Sequence, residues 1–292
     1  MMHYVMAKGI LSSHNGMNLY RGCTHGCIYC DSRSTCYQMR HAFEDIEVKK
    51  NALELLEDTL RRRRKPCMIG TGAMTDPYIP LEKQLQFTRK ALLLIEQYGF
   101  GVTLHTKSAG VLRDLDLLRR IHHKTKAVVQ MTLTTAEDAL CKIIEPNVSP
   151  TSERAEALRI LRDNGIPTVV WLCPILPFIN DTRENILAIL EMCARAGVKG
   201  VICFGMGLTL REGNREYFYS KLEQHFPGLK ERYCRQFGNS YEVNSPRQEE
   251  LMQVFHEFCR KNHLLHHNEE IFAYLNRFEN QRDKDQLSFY DS

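Results

Sequence analysis

The chain has 292 residues, 43% of them hydrophobic and 25% charged, with a formal net charge of +4 and a pI near 8.4. At roughly 100 to 200 residues per domain this length holds one large core plus an appendage, and no stretch approaches the ~20 apolar residues of a membrane span. The charge is too mild to demand a polyanionic partner, and eleven cysteines behind an N-terminus without a signal-length apolar run point to free thiols in a reducing cytoplasm.

Short β-type runs alternate with longer helical ones, the pattern of parallel βα units. The first strand is expected over residues 16–21, leading into the run Cys23-Thr24-His25-Gly26-Cys27-Ile28-Tyr29-Cys30. Residues 45–64 read as a helix with Val48, Leu53, Leu56 and Leu60 near one face. A strand at 67–71, a helix at 81–97, a strand at 100–106, a helix at 111–122 and a strand at 126–134 follow. Helical pieces at 137–144 and 152–164 precede a fifth strand at 167–173. Asp181-Thr182 can cap a helix that runs to Ala196 and ends at Gly197, and residues 199–204 form the sixth strand. Six such units make an α/β partial (β/α)6 TIM barrel over residues 1–210.

Beyond the barrel, 212–224, 229–237 and 248–262 read as helices, a helical C-terminal extension over 211–278. Its Tyr217, Phe218, Tyr219, Tyr233, Phe237 and Tyr241 either pack against strand six or line a substrate surface. Residues 279–292 form a polar, flexible tail that carries the short apolar hook Gln286-Leu287-Ser288-Phe289-Tyr290. The basic run at 61–65 falls between a helix and strand two, on the rim opposite the mouth of the barrel.

The cysteine run is where the chemistry concentrates. Three thiolates on one loop can each take a separate iron of a cuboidal cluster and leave the fourth iron open, where an all-cysteine site needs a fourth ligand. Gly22 and Gly26 let the backbone turn tightly, and an open iron can bind a small chelating molecule. The competing account is a zinc site of Cys23, Cys27 and Cys30 with His25, although no second C-x-x-C pair exists.

In α/β barrels the loops after the strands build the site. Gly70 and Gly72 after strand two allow close backbone approach, so carbonyls there can take an ammonium; a plain turn punctuated by Pro77 and Pro80 is the alternative. Lys107 at the end of strand three either reaches solvent or meets an anion in the mouth. Thr132 adds a hydroxyl donor for the same anion, or is a β-former like Thr134 and Thr135. Glu145 either orients a neighbouring loop or holds a sugar hydroxyl, and Cys36 and Cys173 are positioned to reach the mouth unless they are inert buried thiols.

The spacing C-x-x-x-C-x-x-C, with Tyr29 before the last cysteine, resembles the signature of the radical S-adenosylmethionine (SAM) enzymes. Asn18 to Cys23, Thr75-Asp76-Pro77-Tyr78 with Glu82-Lys83, Thr106-Lys107-Ser108, Leu112 to Leu118, Glu145-Pro146 and Pro174-Ile175-Leu176-Pro177 with Asn180-Asp181 resemble its spore photoproduct lyase-related branch, over roughly residues 16–205. The resemblance implies a partial TIM barrel and a 4Fe-4S cluster on Cys23, Cys27 and Cys30, with SAM chelating the open iron. It also implies a SAM site drawing on Tyr29, Gly70, Gly72, Thr75, Lys107 and Thr132, and a role for Asp76 near the chemistry. Reductive cleavage of SAM, with electrons from a flavodoxin or ferredoxin, would give a 5'-deoxyadenosyl radical acting on a DNA base or nucleotide.

One departure matters. Spore photoproduct lyase carries a hydrogen-donating cysteine at the position of Ala73, which leaves Cys173 as the candidate donor here. The hook resembles the pentapeptide by which bacterial repair proteins bind the sliding clamp, through Gln286, Leu287 and Phe289. The rival expectation is a non-catalytic iron-sulfur or zinc module that scaffolds nucleic-acid repair partners.

Overall fold

The computed structural model describes residues 1–280, so the hook residues Gln286, Leu287 and Phe289 lie outside the described residues. In chain order the elements are strands β1 (Met2–Val5), β2 (Gly16–Met17), β3 (Tyr20–Arg21) and β4 (Ile46–Lys49), helix α1 (Ala52–Arg62), β5 (Met68–Thr71), α2 (Glu82–Leu85), α3 (Phe87–Gln97), β6 (Gly101–Thr106) and α4 (Leu115–Lys124). Then come β7 (Ala127–Thr132), α5 (Asp138–Ile144), α6 (Thr151–Asp163), β8 (Thr168–Trp171), α7 (Arg183–Ala196) and β9 (Gly200–Ile202). The C-terminal part holds β10 (Gly207–Thr209), α8 (Asn214–His225), α9 (Leu229–Phe237), β11 (Glu242–Asn244), α10 (Gln248–Lys261) and α11 (Asn268–Asn276).

Six parallel strands pair in the order β2-β5-β6-β7-β8-β9, the open sheet of a partial α/β barrel. The central strands read Ala-Val-Val-Gln-Met-Thr and Thr-Val-Val-Trp, near-continuous apolar runs that suit strands covered on both faces. The outer edge of β9 is not left bare. Leu265 runs beside it, its carbonyl accepting from Val201 N at 2.8 Å, and α11 packs over the same strand. Among the described residues no helix is long and apolar enough to cross a membrane.

Three sequence expectations are corrected at the element level. The strand expected over 16–21 divides into β2, which pairs with β5, and β3, which pairs antiparallel with β4 in a separate sheet of order β1-β4-β3. The helix expected over 45–64 begins only at Ala52, because Ile46-Glu47-Val48-Lys49 alternates buried and half-buried residues and pairs as a strand with β1. Its apolar stripe is Ala52, Leu56 and Leu60, at helical spacing.

The helix expected over 81–97 breaks at Gln86, which sits at φ 54°. Buried Glu82 explains the break: its carboxylate accepts the Thr88 backbone N–H at 3.1 Å, capping α3, and also takes Tyr20 OH and Arg113 Nη2. A continuous helix would leave that N–H bonded to a carbonyl and the carboxylate without its cap. Strands β10 and β11, helix α11 and the N-terminal strand β1 are additional to the sequence reading, which carried no periodicity long enough to mark them.

Gly70 and Gly72, paired in the sequence reading, are under different constraints. A Cβ on Gly70 would meet only Thr103 Cγ2 at 3.7 Å, an ordinary contact, whereas Gly72 has φ +99° and a Cβ there would lie 1.9 Å from the His105 carbonyl oxygen. Denaturant unfolding is therefore expected to show Gly70→Ala within about 1 kcal/mol of wild type, and Gly72→Ala destabilised by more than about 3 kcal/mol; equal effects would contradict the packing described.

Candidate active site

The cysteine loop has little regular structure, so neighbours hold it in place. Cys23 N donates to Phe43 O at 3.0 Å, Ile28 N to Ile144 O at 3.0 Å, and Asn147 reaches back to His25 O at 3.0 Å through its backbone N–H and to Thr24 O at 2.9 Å through its side chain. Gly22, at φ +86°, passes so near the 39–45 segment that a Cβ would sit 2.5 Å from Phe43 O.

Beneath the loop lies a buried charge network. Tyr29 OH donates to Glu145 Oε1, and the fully buried Arg154 donates to Glu145 Oε2 at 2.5 Å and to Thr132 O at 2.7 Å. Burial disfavours the Glu145 carboxylate, but Arg154 and then Lys107 outweigh it and lower its pKa. Of the two roles read for Glu145, the geometry places it as an orienting residue under the cysteine loop.

Cys23, Cys27 and Cys30 line one small cavity of about 80 Å³ together with His25, Gly72, Met74, Asp76 and Lys107. Among the described residues the only group of three metal-ligand atoms within 4.8 Å of one another is His3, His41 and Glu47, so neither the three thiols nor any three drawn from them and His25 meet that spacing. A tetrahedral zinc with Zn–S bonds near 2.3 Å would bring its sulfurs to within roughly 4 Å of one another; the wider spread suits a larger, multinuclear core. Burial, and then Asp76, pushes the Cys23 thiol up to about 12, and burial raises Cys27 as well. Such thiols need the positive charge of a metal to ionise. His41 pairs with Glu47, and His3 and His41 both face Asp45.

Asp76 is tied on all sides. Its Oδ1 accepts from Thr106 Oγ1 at 2.7 Å and Tyr78 N at 2.8 Å, its Oδ2 accepts from Lys107 N at 2.6 Å, and His25 Nδ1 stands 3.5 Å away. It therefore clamps the turn after β5 to the end of β6. Lys107 reaches into the cavity, where burial works against its charge but Cys27, Glu145 and Asp76 outweigh that and raise its pKa. Its neighbour His105 behaves oppositely: burial and then Lys107 push it down to about 3, so the ring is neutral, with Nε2 2.8 Å from Thr132 Oγ1. Thr75 is buried with its hydroxyl unpartnered among the described residues, and Gly70 sits within β5.

A second cavity of about 640 Å³ adjoins the first, sharing Cys27, Cys30, Ser32, Ala73 and Lys107. Cys173, Trp171 and Phe204 come to it from the ends of β8 and β9, and Leu208, Glu242, Asn244 and Gln248 from the C-terminal part. Burial, and then Cys203, pushes the Cys173 thiol up to about 12. Cys36 does not line either cavity; it lies exposed, with Arg211 Nη1 3.3 Å from its sulfur. Sequence reasoning missed Arg154, His105, Trp171 and Gln248, since a helix interior, a strand interior and a helix start carry no motif.

Phe218, Tyr219, Tyr233 and Phe237 of the extension do not pack on strand six, which α11 covers with Phe272 and Tyr274. Phe218, Leu222 and Tyr233 form a second core with Cys27, Ile28 and Tyr29 of the cysteine loop and with Leu176, while α10 packs against α7.

Residues 17–187 match the sequence profile of the Radical SAM superfamily. An uncharacterized protein of Mycobacterium tuberculosis is 29% identical over 230 residues, 74% of this chain and 65% of that relative's own length. The chain thus spans about two thirds of that relative. An uncharacterized protein of Acidianus two-tailed virus is 28% identical over 278 residues, 89% of this chain and 85% of that protein. A protein of Pseudomonas phage M6 named radical SAM Nalpha-GlyT isomerase is 24% identical over 180 residues, 62% of this chain and 36% of its own. Among solved structures, spore photoproduct lyase complexed with dinucleoside spore photoproduct superposes with a TM-score of 0.62 at 15% identity, over 89% of this chain and 79% of that one. The methyltransferase TsrM from Kitasatospora setae, with cobalamin and a 4Fe-4S cluster bound, superposes at 0.56 and 11% identity, over 82% and 52%. At these identities the structural likeness shows the fold.

Removing Arg154 strands a buried carboxylate. Arg154→Met is expected to cost about 3–5 kcal/mol in chemical unfolding, and the double change Arg154→Met with Glu145→Leu to recover most of it. A double variant no more stable than the single one would contradict the pairing.

Proposed function

The chain belongs to the radical SAM superfamily and is an enzyme of that kind, and from this premise we propose that its substrate is a base or nucleotide of DNA. When bound, a 4Fe-4S cluster and SAM supply reductive cleavage of the sulfonium to a 5'-deoxyadenosyl radical, which takes a hydrogen atom from the substrate. The observation that carries the radical chemistry is the donor set: three thiols share one cavity, spread beyond the reach of a single ion, with no other cysteine among the described residues lining it; the substrate class rests on the likeness to spore photoproduct lyase with its dinucleoside. That set fits a cuboidal cluster with one vertex free of protein and does not fit zinc.

The chain's own residues then divide the work. Cys23, Cys27 and Cys30 would hold the cluster. Lys107, kept cationic by its neighbours, would meet the carboxylate of the methionine moiety, and the backbone of the turn at Gly72 its amine; both residues line the cavity of the three thiols. Thr132 acts through its contact with His105, and Asp76 is a positioning residue that holds Lys107 and the turn together. Tyr29, fixed by Glu145, sets the wall beside Lys107, whose Nζ lies 5.9 Å from the ring centroid.

Ala73 has no weak S–H bond to give a hydrogen atom, but Cys173 lines the same cavity and its raised pKa keeps it as S–H, the form able to give one. Its S–H bond would break as a C–H bond forms on the substrate radical, leaving the unpaired electron on sulfur. The dinucleoside bound by spore photoproduct lyase supports the nucleic-acid class, and the eleven cysteines, free where the structure describes them, support a cytoplasmic setting.

Anaerobic reconstitution is expected to give about four irons and four sulfides per chain, and 5'-deoxyadenosine on adding dithionite and SAM, both lost in Cys27→Ala; one zinc without sulfide overturns the proposal. In D2O, an oligonucleotide substrate is expected to acquire deuterium with wild type and not with Cys173→Ala, while 5'-deoxyadenosine persists in both. Undiminished deuterium in that variant removes Cys173 as donor.

A further inference from the structure

The larger cavity has a wall that the cluster chemistry leaves unused. Trp171, the only tryptophan of the chain, is held on face and edge: its ring stacks on His105 at 4.7 Å and 16°, and its Nε1 donates to Gln130 Oε1 at 2.8 Å. Gln130 in turn donates to Thr103 Oγ1 at 2.7 Å, so the indole is rigid. Phe204 lies over this support, 5.9 Å from Trp171 and 6.2 Å from Phe272, yet 64% of its surface faces solvent. A phenyl ring braced by two aromatic neighbours and left wet inside a cavity is a surface that a flat ring would cover at little entropic cost.

Beside it stands an unmet acceptor. Gln248 Oε1 is buried and has no hydrogen-bond partner among the described residues. It lies beside the residue that follows Phe204, since a Cβ on Gly205 would come within 3.2 Å of it, and Gln248 and Phe204 line the same cavity. Gly205, at φ +119°, keeps that approach open. A buried acceptor left unpaired costs about 1–3 kcal/mol, a cost that an N–H from a bound molecule removes.

We propose that Phe204 is the plate on which the substrate's ring stacks and that Gln248 Oε1 takes an N–H from the ring's edge, so that the site selects a planar nitrogen heterocycle bearing a ring N–H, such as thymine. This rests on the reading above that the enzyme acts on a base, and it adds the residues that choose the base. The same chemistry could come from two sources, the substrate's base or the adenine of SAM. Phe204's exposure, and its place in the larger cavity and not in the one that holds Cys23, favour the substrate.

Trp171 emission reports on this cavity alone among the tryptophans. Titrating thymidylyl-thymidine into the reconstituted holoenzyme with SAM present is expected to change that emission saturably, and an abasic dinucleotide to leave it unchanged. Phe204→Ala should weaken the dinucleotide roughly five- to a hundredfold, the range of one base stacked on an aromatic ring, while Phe204→Tyr stays within about threefold. N3-methylation of the thymines should weaken binding to wild type and make no difference to Gln248→Leu. The proposal is overturned if no dinucleotide perturbs Trp171, if Phe204→Ala binds as wild type does, or if that variant loses SAM affinity to the same degree, which would assign the plate to the cofactor. 5'-Deoxyadenosine formed by wild type without any dinucleotide reads the underlying radical chemistry separately; its absence alongside normal dinucleotide binding would sink that chemistry and leave the plate standing.

Discussion

A guanidinium buried at the base of the cysteine loop sets the geometry on which the rest of this structure depends. Arg154 reaches from α6 to the Thr132 carbonyl at the end of β7 and to Glu145 just past α5, and Glu145 reaches on to Tyr29 between the second and third thiols. Neither charge is tolerable alone in a region this dry. Each therefore compels the other's position, and the cysteine loop, tied to the pair through Tyr29, inherits a placement it could not obtain from its own few internal hydrogen bonds.

The mouth of the barrel is organised by a second electrostatic contrast. His105 and Lys107 leave β6 two residues apart, and the sheet turns both toward the site. One ring is kept neutral and bonded to Thr132, while the ammonium keeps its charge because thiols and carboxylates surround it. The cavity thus offers a single well-defined cation beside the cysteines. Asp76, saturated with donors, fixes the spacing between that cation and the turn at Gly72. Gly72 can make the turn only because it lacks a side chain that would strike the neighbouring strand.

The C-terminal part serves the site twice. Its aromatic residues close over the back of the cysteine loop as a second core, and its antiparallel pair β10-β11 with the start of α10 walls the larger cavity. Arg211 joins the two regions, bonded to Tyr241 Oη at 2.7 Å and facing Asp31 at 3.6 Å. The wall of the larger cavity and the support of the cysteine loop are consequently parts of one packed unit.

Some of this was legible in the linear chain. The spacing of Cys23, Cys27 and Cys30 and the alternation of β-type and helical runs are local properties, visible because ligand count and side-chain period follow directly from sequence separation. The six sheet strands were accordingly placed to within a few residues, except the first, whose second half was claimed by another sheet. What the order of residues left open is everything that depends on long-range contact. That Glu82 breaks a helix to cap its continuation, that Arg154 supports the cysteine loop, and that Phe204 lies bare beside Gln248 are facts of tertiary packing. The cap from Glu82 to Thr88 spans only 6 positions, but it is fixed by Tyr20, 62 positions away. The other contacts reach up to 116 positions apart, where no period or spacing carries a signal and only burial makes their charges and unpaired atoms count.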